Sequence, residues 1–269
     1  MKRYILIFPL LIIPFIIQAD WEQPTIMQDG LNKEKLFLAI IQRDEQNIQK
    51  LLENHPYLAD VKDDLSRTGL MIASWKGYLK IAEFFIQAKA KINTRDRNGQ
   101  TALMMASYWG YLDIVNMLLK AGAKVNMQDN LGQTALIKTS MWGFPKVSRT
   151  LIHALADSNI KDQSGMTVLM RAIQFKRPLV VQAVLLDNTN INIDSIDKKG
   201  NTALIIASQR GERDILKQLL DFGANPEIVN KEGLTALDYS VFKQQTQTKK
   251  SNYAEIEKLL RRALCKKSF

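Results

Sequence analysis

The 269-residue sequence has little of the residue types on which metal sites and disulfide frameworks depend. It contains one cysteine, Cys265, and two histidines, His55 and His153. A single cysteine excludes an internal disulfide, and it leaves open an intermolecular bridge, a redox-sensitive thiol or an unreactive thiol in the last helix. Neither histidine has a metal-ligating partner at a useful spacing, so we expect no metal site.

The sequence also lacks the short motifs that mark catalytic and nucleotide-binding sites. It has no Gly-x-Ser-x-Gly nucleophile motif, and no histidine lies near Cys265 in the sequence. Its glycines recur at regular intervals and form no phosphate-binding loop ahead of a helix. We therefore expect a protein that is not an enzyme and that needs no cofactor.

The longest apolar run, Tyr4–Ile17, lies at the N-terminus and follows Lys2 and Arg3. A basic start, an apolar stretch and a small residue at its edge are typical of a secretory signal peptide. The 14 residues of this run are fewer than the roughly 20 that span a bilayer. We expect residues 1–19 to be a signal peptide and residues 20–31 a linker, and the mature protein to be exported to the periplasm or secreted. An uncleaved anchor is the alternative.

A recurring tripeptide, Thr-x-Leu, organises the rest of the chain. Four of the five intervals between its copies are 33 residues, and one is 35. A fixed period of this length is typical of a stacked array, in which each unit buries its apolar face against its neighbours. The tripeptide begins at Thr68, Thr101, Thr134, Thr167, Thr202 and Thr235.

Each repeat is predicted to be a turn followed by two helices. A tetrapeptide such as Asp96–Gly99 favours a turn, because the aspartate accepts bonds from the following amides and glycine adopts a positive φ at low cost. The threonine is then placed to cap the first helix. The apolar residues of Ile114–Leu119 have the spacing of one helix face. Gly110 and Gly122 are predicted to end the two helices.

This pattern resembles the ankyrin repeat, whose signature runs Gly-x-Thr-Pro-Leu-His, then small residues, Gly, an apolar helix and Gly-Ala. Ala102 stands where the family usually has Pro and Met104 where it usually has His, and both exchanges keep helix-forming residues in a helix. The resemblance covers most of the chain and implies an all-α, ankyrin-repeat α-solenoid of helix-turn-helix repeats with β-hairpin-like loops. The units are assigned to residues 32–63, 64–95, 96–128, 129–161, 162–196, 197–229 and 230–269, of which the first and last are caps.

Several units lack glycine at a predicted helix end. Gly122 and Gly223 close the second helices of their units, but Lys89 and Leu155 stand at the equivalent positions. In the fifth unit Lys176 replaces the glycine between the helices. Glycine adopts the left-handed conformation of such ends at the least cost. We therefore predict that the fourth and fifth units open first.

Positions that vary between repeats indicate the binding surface. In ankyrin-like repeats, the two positions before the glycine between the helices face the concave side and commonly contact ligands. Tryptophan and tyrosine dominate the energy of many interfaces, and stacking of the units is expected to align these rings into one stripe; burial between repeats is the alternative. Tyr78, Tyr111 and Phe144, after the glycine, are predicted to bridge adjacent units. The candidate partner-binding residues are Trp75, Lys76, Tyr108, Trp109, Met141, Trp142, Phe175 and Arg210, with Arg97 and Lys198 at the hairpin tips.

Positive charge is concentrated at the C-terminus. The chain has a net charge of +10, and Lys243–Phe269 contains eight basic and two acidic residues. Because Ile256 and Leu260 give this segment an apolar face, we expect it to cap the last unit, with an extended loop over Lys243–Asn252. Nucleic acid is not an expected partner, since the remaining chain is nearly neutral. The alternative is a weak contact with anionic lipid through Lys249, Lys250, Arg261, Arg262, Lys266 and Lys267.

These features together predict a protein–protein interaction scaffold that holds its partner on the concave face of the array. A sharper hypothesis is that the protein inhibits or protects a partner enzyme in the periplasm or outside the cell, as an immunity protein or a stress accessory factor does. The alternative is a membrane-surface or envelope-structural protein, held by its basic C-terminal tail or by an uncleaved N-terminus.

Overall fold

The computed structural model describes residues 29–187, 190–246 and 250–267. The predicted signal peptide and residues 20–28 of the predicted linker lie outside these ranges. The described chain is built of helices, with an isolated antiparallel bridge between Lys62 and Thr68. The helices are α1 (29–42), α2 (Glu45–Asn54), a 3-10 helix (Pro56–Asp60), α3 (Gly69–Lys76), α4 (Leu79–Gln87), α5 (Ala102–Trp109), α6 (Leu112–Lys120), α7 (Ala135–Trp142), α8 (Pro145–His153), α9 (Val168–Gln174), α10 (Pro178–Leu186), α11 (Ala203–Arg210), α12 (Arg213–Asp221), α13 (Ala236–Thr246) and α14 (Lys250–Lys267).

The helices form two stacked layers. Each first helix packs against the second helix of its own repeat, as α5 does against α6 and α11 against α12. The first helices α3, α5, α7, α9, α11 and α13 contact one another in chain order, and the second helices α2, α4, α6, α8, α10, α12 and α14 do the same. This arrangement confirms the predicted all-α solenoid of helix-turn-helix repeats.

Two local hydrogen-bond patterns begin each repeat. Asp96 Oδ1 accepts hydrogen bonds from the amides of Asn98 and Gln100 at 2.9 and 2.8 Å, which closes the turn. Thr101 Oγ1 then accepts from the Met104 amide at 3.3 Å and so satisfies a free donor at the start of α5. The same pair of turn bonds occurs at Asp63, Asp129, Asp162, Asp197 and Asn230. The predicted turn and cap are confirmed.

The core lies between the two helix layers and repeats with the sequence. One position of the second helix is fully buried in five successive units, by Phe85, Leu118, Leu151, Val184 and Leu219. Complete burial of such a side chain contributes roughly 1.5–3 kcal/mol. Phe85 is larger than its counterparts and occupies the space where Gly69 would otherwise carry a Cβ. In the next unit Ala102 stands at the position of Gly69, and the smaller Leu118 stands at the position of Phe85. The size of the residue in the first helix therefore complements the size of the residue in the second helix.

Tyr111 and Phe144, which each follow an inter-helix glycine, pack on the inter-helix glycine of the preceding unit. A Cβ at Gly77 would meet the Tyr111 ring, and one at Gly110 would meet the Phe144 ring. Gly110 also has a φ of 76°, a conformation that glycine adopts without steric cost. The prediction that Tyr111 and Phe144 bridge adjacent units is confirmed. Farther along, Arg177 covers Gly143 and Tyr253 covers Gly211.

The array begins earlier than the sequence analysis placed it. Helix α1 already includes residues 29–31, which were assigned to the linker. Side-chain contacts hold this turn in place, because the Tyr57 hydroxyl donates to Asp29 Oδ1 at 2.5 Å. Buried Asn32 lies within hydrogen-bond distance of the His55 ring at 3.3 Å. The first unit therefore includes residues 29–31.

The extended loop predicted over Lys243–Asn252 is wrong. Helix α13 continues to Thr246 and α14 begins at Lys250, so much of the stretch is helical. Gln and Lys are good helix formers, and the apolar face of α14 gives the helix a surface on which to pack. Tyr253, Ile256 and Leu260 are buried as α14 contacts α12 and α13.

Four residues other than glycine adopt the left-handed conformation at helix ends: Arg43 after α1, Lys89 after α4, Leu155 after α8 and Lys176 after α9. Lys89, Leu155 and Lys176 have φ values of 60°, 65° and 56°. The glycines at comparable ends, Gly122 and Gly223, have φ values of 86° and 85°. The fold therefore keeps the same backbone path at all these positions and accepts the steric cost where a side chain is present.

Candidate protein-interaction surface

In most units the first helices of adjacent repeats contact each other more extensively than the second helices do, so the first helices and the hairpin tips that precede them form the concave face. Successive tips are joined by backbone hydrogen bonds, such as those from the Asn130 amide to the Asn98 carbonyl at 2.9 Å and from the Lys198 amide to the Ser164 carbonyl at 3.1 Å. The Arg97 amide makes the first of these bonds, to the Leu65 carbonyl at 3.1 Å. The tips form one continuous edge, from which the side chains of Arg97 and Lys198 are exposed.

Trp109 and Trp142 form a stacked pair on this face. Their ring centroids are 6.3 Å apart with an interplanar angle of 13°, a geometry that aromatic pairs favour. The Tyr108 ring meets both edge-on, with centroid distances of 5.2 and 6.1 Å. Trp109 and Trp142 nevertheless remain 40% and 51% exposed. We call these two residues the indole pair.

Trp75 lies in a different environment from the indole pair. Its ring makes cation–π contacts with two basic side chains. Lys76 Nζ lies 4.2 Å and Arg67 Cζ 5.8 Å from the ring centroid. It also lines a pocket of about 340 Å³ together with Ile41 of α1 and Ile72 of α3. The ring contacts of the predicted stripe thus join Tyr108, Trp109 and Trp142, whereas Trp75 forms a separate site at the N-terminal end.

The remaining predicted residues lie nearer the C-terminal end. Met141 is half-buried, and its carbonyl accepts two hydrogen bonds from the Arg177 guanidinium at 3.0 and 3.2 Å, which ties it to the next unit. Phe175 is half-buried at the end of α9, and Arg210 is exposed at the end of α11. The concave face therefore changes from aromatic to polar along the array.

Two buried ion pairs beneath this face were not anticipated from the sequence. Lys138 Nζ lies 2.6 Å from Asp129 Oδ2, and Arg171 Nη2 lies 2.5 Å from Asp162 Oδ2. Each pair connects a first helix to the turn that begins its own repeat. The signal is a basic residue nine positions after the turn aspartate. The repeat that begins at Asp96 has Met105 at this position instead.

The first hairpin contains a third ion pair, between Arg67 and Asp63. Arg67 Nη2 lies 2.7 Å from Asp63 Oδ2. Burial alone would raise the pKa of Asp63, but hydrogen bonds from the Arg67 side chain and from the amides of Arg67 and Leu65, with the guanidinium charge, outweigh it. The pKa of Asp63 is therefore lowered, and the ionised carboxylate stabilises this turn.

The last hairpin is held by a network of hydrogen bonds instead of an ion pair. Asn230 Nδ2 donates to Asn201 Oδ1 at 2.9 Å and to the Tyr239 hydroxyl at 3.0 Å, and that hydroxyl donates to Glu232 Oε2 at 2.9 Å. Burial, followed by the bond to Glu232, raises the pKa of Tyr239. The tyrosine therefore stays protonated and keeps its role as a donor in this network.

The C-terminal basic residues are only partly within the described chain. Arg261 pairs with Glu257 at 2.8 Å, and Arg262 and Cys265 are exposed on α14. Lys249 lies outside the described residues, as do the side chains of Lys250, Lys266 and Lys267.

Two kinds of feature are absent from the described residues. Over residues 29–187, 190–246 and 250–267, no helix combines the length and the apolar character needed to cross a bilayer. The same residues contain no cluster of three or more histidine, cysteine, aspartate or glutamate side chains that could hold a metal ion.

Comparison with known proteins agrees with this architecture. A family model described as ankyrin repeats in three copies matches residues 36–129 and 121–197, and a second, described as ankyrin repeats in many copies, matches residues 185–240. The structure resembles the ankyrin repeat domain of Bcl-3, a member of the IkappaB protein family, with a TM-score of 0.73 and 22% identity over 84% of this chain and 97% of that one. It also resembles the ankyrin repeat protein EF0377, with a TM-score of 0.64 and 27% identity over 71% and 96% of the two chains. The chain belongs to the ankyrin repeat family, a family of interaction scaffolds.

Proposed function

We propose that this protein is an exported scaffold that holds a partner protein on its concave face, with the indole pair as the anchor. The observation that carries the proposal is the exposure of Trp109 and Trp142, at 40% and 51%, in a stacked cluster on the face that the repeats leave open. Clustered apolar surface of this kind is characteristic of interaction sites. Trp is also the residue type most enriched among those that dominate binding energy.

The rigidity of the surrounding structure supports the same proposal. The tip-to-tip backbone bonds hold the edge of the concave face, and the Asp129–Lys138 pair fixes α7, the helix that carries Trp142. Phe144, two residues after α7 ends, packs on Gly110 of the preceding unit. A surface that is ordered before binding loses less conformational entropy when the partner arrives.

The export component rests on the N-terminal sequence, with its basic start and 14-residue apolar run. In that setting the scaffold would act on another exported protein. A rigid concave surface can inhibit a partner enzyme by covering its active site, or protect the enzyme by stabilising its native state. Fractionation tests the location. Recovery of the mature chain in the periplasmic or secreted fraction is expected, and retention of the chain in the cytoplasm contradicts export.

Affinity capture from an envelope extract tests the binding face. The native chain is compared with a Trp109→Ala/Trp142→Ala variant and with a matched control, Leu179→Ala/Phe222→Ala, which removes apolar residues that are 62% and 45% exposed on the second-helix layer. Circular dichroism first establishes that all three chains are folded. We expect one protein to be captured by the native chain and the control and lost with the indole variant. Equal capture by all three chains contradicts the proposed face.

A further inference from the structure

Unneutralised positive charge gathers at one place on the concave face. A pocket of about 400 Å³ lies between α9, α11 and the hairpin tips of their repeats. Lys198, Lys199 and Arg210 line it and are exposed, and the amide side chains of Gln174 and Gln209 add neutral hydrogen-bonding groups. We call these five residues the basic pocket.

The positive charges of the basic pocket are not neutralised by ion pairs within the described chain. Over the residues that the structure describes, no ion pair involves Lys198, Lys199 or Arg210. Asp197 lines the same pocket, but its Oδ1 accepts from the Lys199 and Asn201 amides at 2.8 Å each, and its Oδ2 accepts from Asn201 Nδ2 at 3.3 Å. Both oxygens of the Asp197 carboxylate thus accept hydrogen bonds within their own turn.

The basic pocket lies at a defined separation from the indole pair. Trp142 ends α7, and the basic pocket includes the end of α11, two first helices farther along the stack. Packed helices are about 8–10 Å apart, so the separation is roughly 16–20 Å. An extended polypeptide advances about 3.3 Å per residue, and five or six residues would cover this distance.

We propose that the partner presents a polypeptide segment with an apolar side chain on the indole pair and aspartate or glutamate side chains, five or six residues away, in the basic pocket. This proposal rests on the proposed function and specifies the chemistry of the partner. Charge complementarity of this kind determines specificity and the association rate more than raw affinity. A nucleic acid fits less well, because its phosphates need a continuous basic track, whereas the face is aromatic at α5 and α7, and exposed Glu232 lies one tip beyond Lys199.

Selection from a displayed library of random 12-residue peptides tests this pairing. The native chain is used as bait beside a basic-pocket variant, Lys198→Gln/Lys199→Gln/Arg210→Gln. The matched control, Lys120→Gln/Lys146→Gln/Lys217→Gln, removes the same charge from exposed positions of the second helices. The library makes no assumption about the partner, so the composition of the selected peptides is the result.

We expect the peptides selected by the native chain to combine an aromatic or aliphatic residue with two or more acidic residues about five positions away. Synthetic copies, measured by fluorescence anisotropy, should bind the basic-pocket variant about tenfold more weakly and the control unchanged. Raising the salt from 50 to 200 mM should weaken native binding several-fold, because exposed charges are screened.

The outcomes separate this inference from the function on which it rests. Peptides without an acidic excess that still require Trp109 and Trp142 overturn the acidic segment and leave the scaffold proposal standing. Peptides that bind equally well without the indole pair and without the basic pocket overturn both. Recovery of no peptide also overturns the segment. Basic-pocket-dependent binding of a 20-nucleotide single-stranded DNA, without selection of acidic peptides, would instead assign the pocket to phosphate.

Discussion

Replacing Leu155 with glycine should stabilise the array, although it removes a large apolar side chain. Leu155 has a φ of 65° and is 83% exposed, so little buried surface is lost. The left-handed conformation costs a residue with a Cβ roughly 1–2 kcal/mol. Glycine is more flexible in the unfolded chain, and this offsets about 0.5–1 kcal/mol of that gain. The expected gain in the free energy of unfolding is therefore about 0.5–1 kcal/mol.

The reciprocal variant, Gly122→Ala, tests the cost of a Cβ in the left-handed conformation in the opposite direction. At Gly122 the φ is 86°, and a Cβ would meet no atom within 4 Å. Gly122→Ala therefore adds backbone strain without a clash and should lower the free energy of unfolding by about 1 kcal/mol. Urea unfolding of both variants and the native chain gives the two differences. A destabilised Leu155→Gly variant, or an unchanged Gly122→Ala variant, would refute the reasoning.

Hydrogen exchange locates the effect within the array. We predict that amides of α7 to α10, in the fourth and fifth units, exchange fastest among the interior helices, because Leu155 and Lys176 are strained there. Leu155→Gly should slow exchange in α7 and α8. Uniform protection along the native array would contradict the predicted order of opening.

Three further predictions concern packing and charge. Lys138→Ala leaves the buried Asp129 carboxylate without its cation and should lower the free energy of unfolding by about 3 kcal/mol; a loss below 1 kcal/mol in urea unfolding contradicts this. Because the folded-state pKa of Asp63 is lowered through Arg67, its contribution is present above the unfolded pKa, about 3.9, and is lost as the pH falls through the folded value. Asp63→Asn should therefore destabilise the protein more at pH 6 than at pH 2, and an equal loss at both pH values would refute it. Phe144→Ala removes the half-buried ring that covers the preceding unit and should cost about 2 kcal/mol, less than a fully buried Phe; an unchanged melting temperature would contradict the bridging role.

The features that could be predicted from the sequence are the local ones. The turn in which Asp96 accepts hydrogen bonds from two amides, and the cap in which Thr101 accepts one, are complete within nine residues. Such contacts need no knowledge of the neighbouring units. The placement of Phe144 against the preceding unit was also predictable, because a fixed period carries each position onto its equivalent in the next unit.

The features that were missed depend on contacts between separate parts of a unit. The pairing of Asp129 with Lys138 joins a turn to the helix that follows it, and only two of the repeats have a basic residue at that position. The helical turn over residues 29–31 depends on a bond from Tyr57 to Asp29, 28 residues before it in the chain. The separation of Trp75 from the indole pair follows from its contacts with Lys76 and Arg67, because charge and not ring stacking sets its surroundings.

Hydroxyl-radical footprinting of the native chain, free and bound to the protein that it captures, tests the central claim most directly. The measured quantity is the oxidation rate of individual side chains, read by mass spectrometry. We predict that binding lowers the rates of Trp109 and Trp142 at least several-fold and leaves that of Phe222, on the second-helix layer, unchanged. Protection confined to Phe222 or to α14, with both tryptophans as reactive as in the free chain, would contradict the claim that the concave face holds the partner.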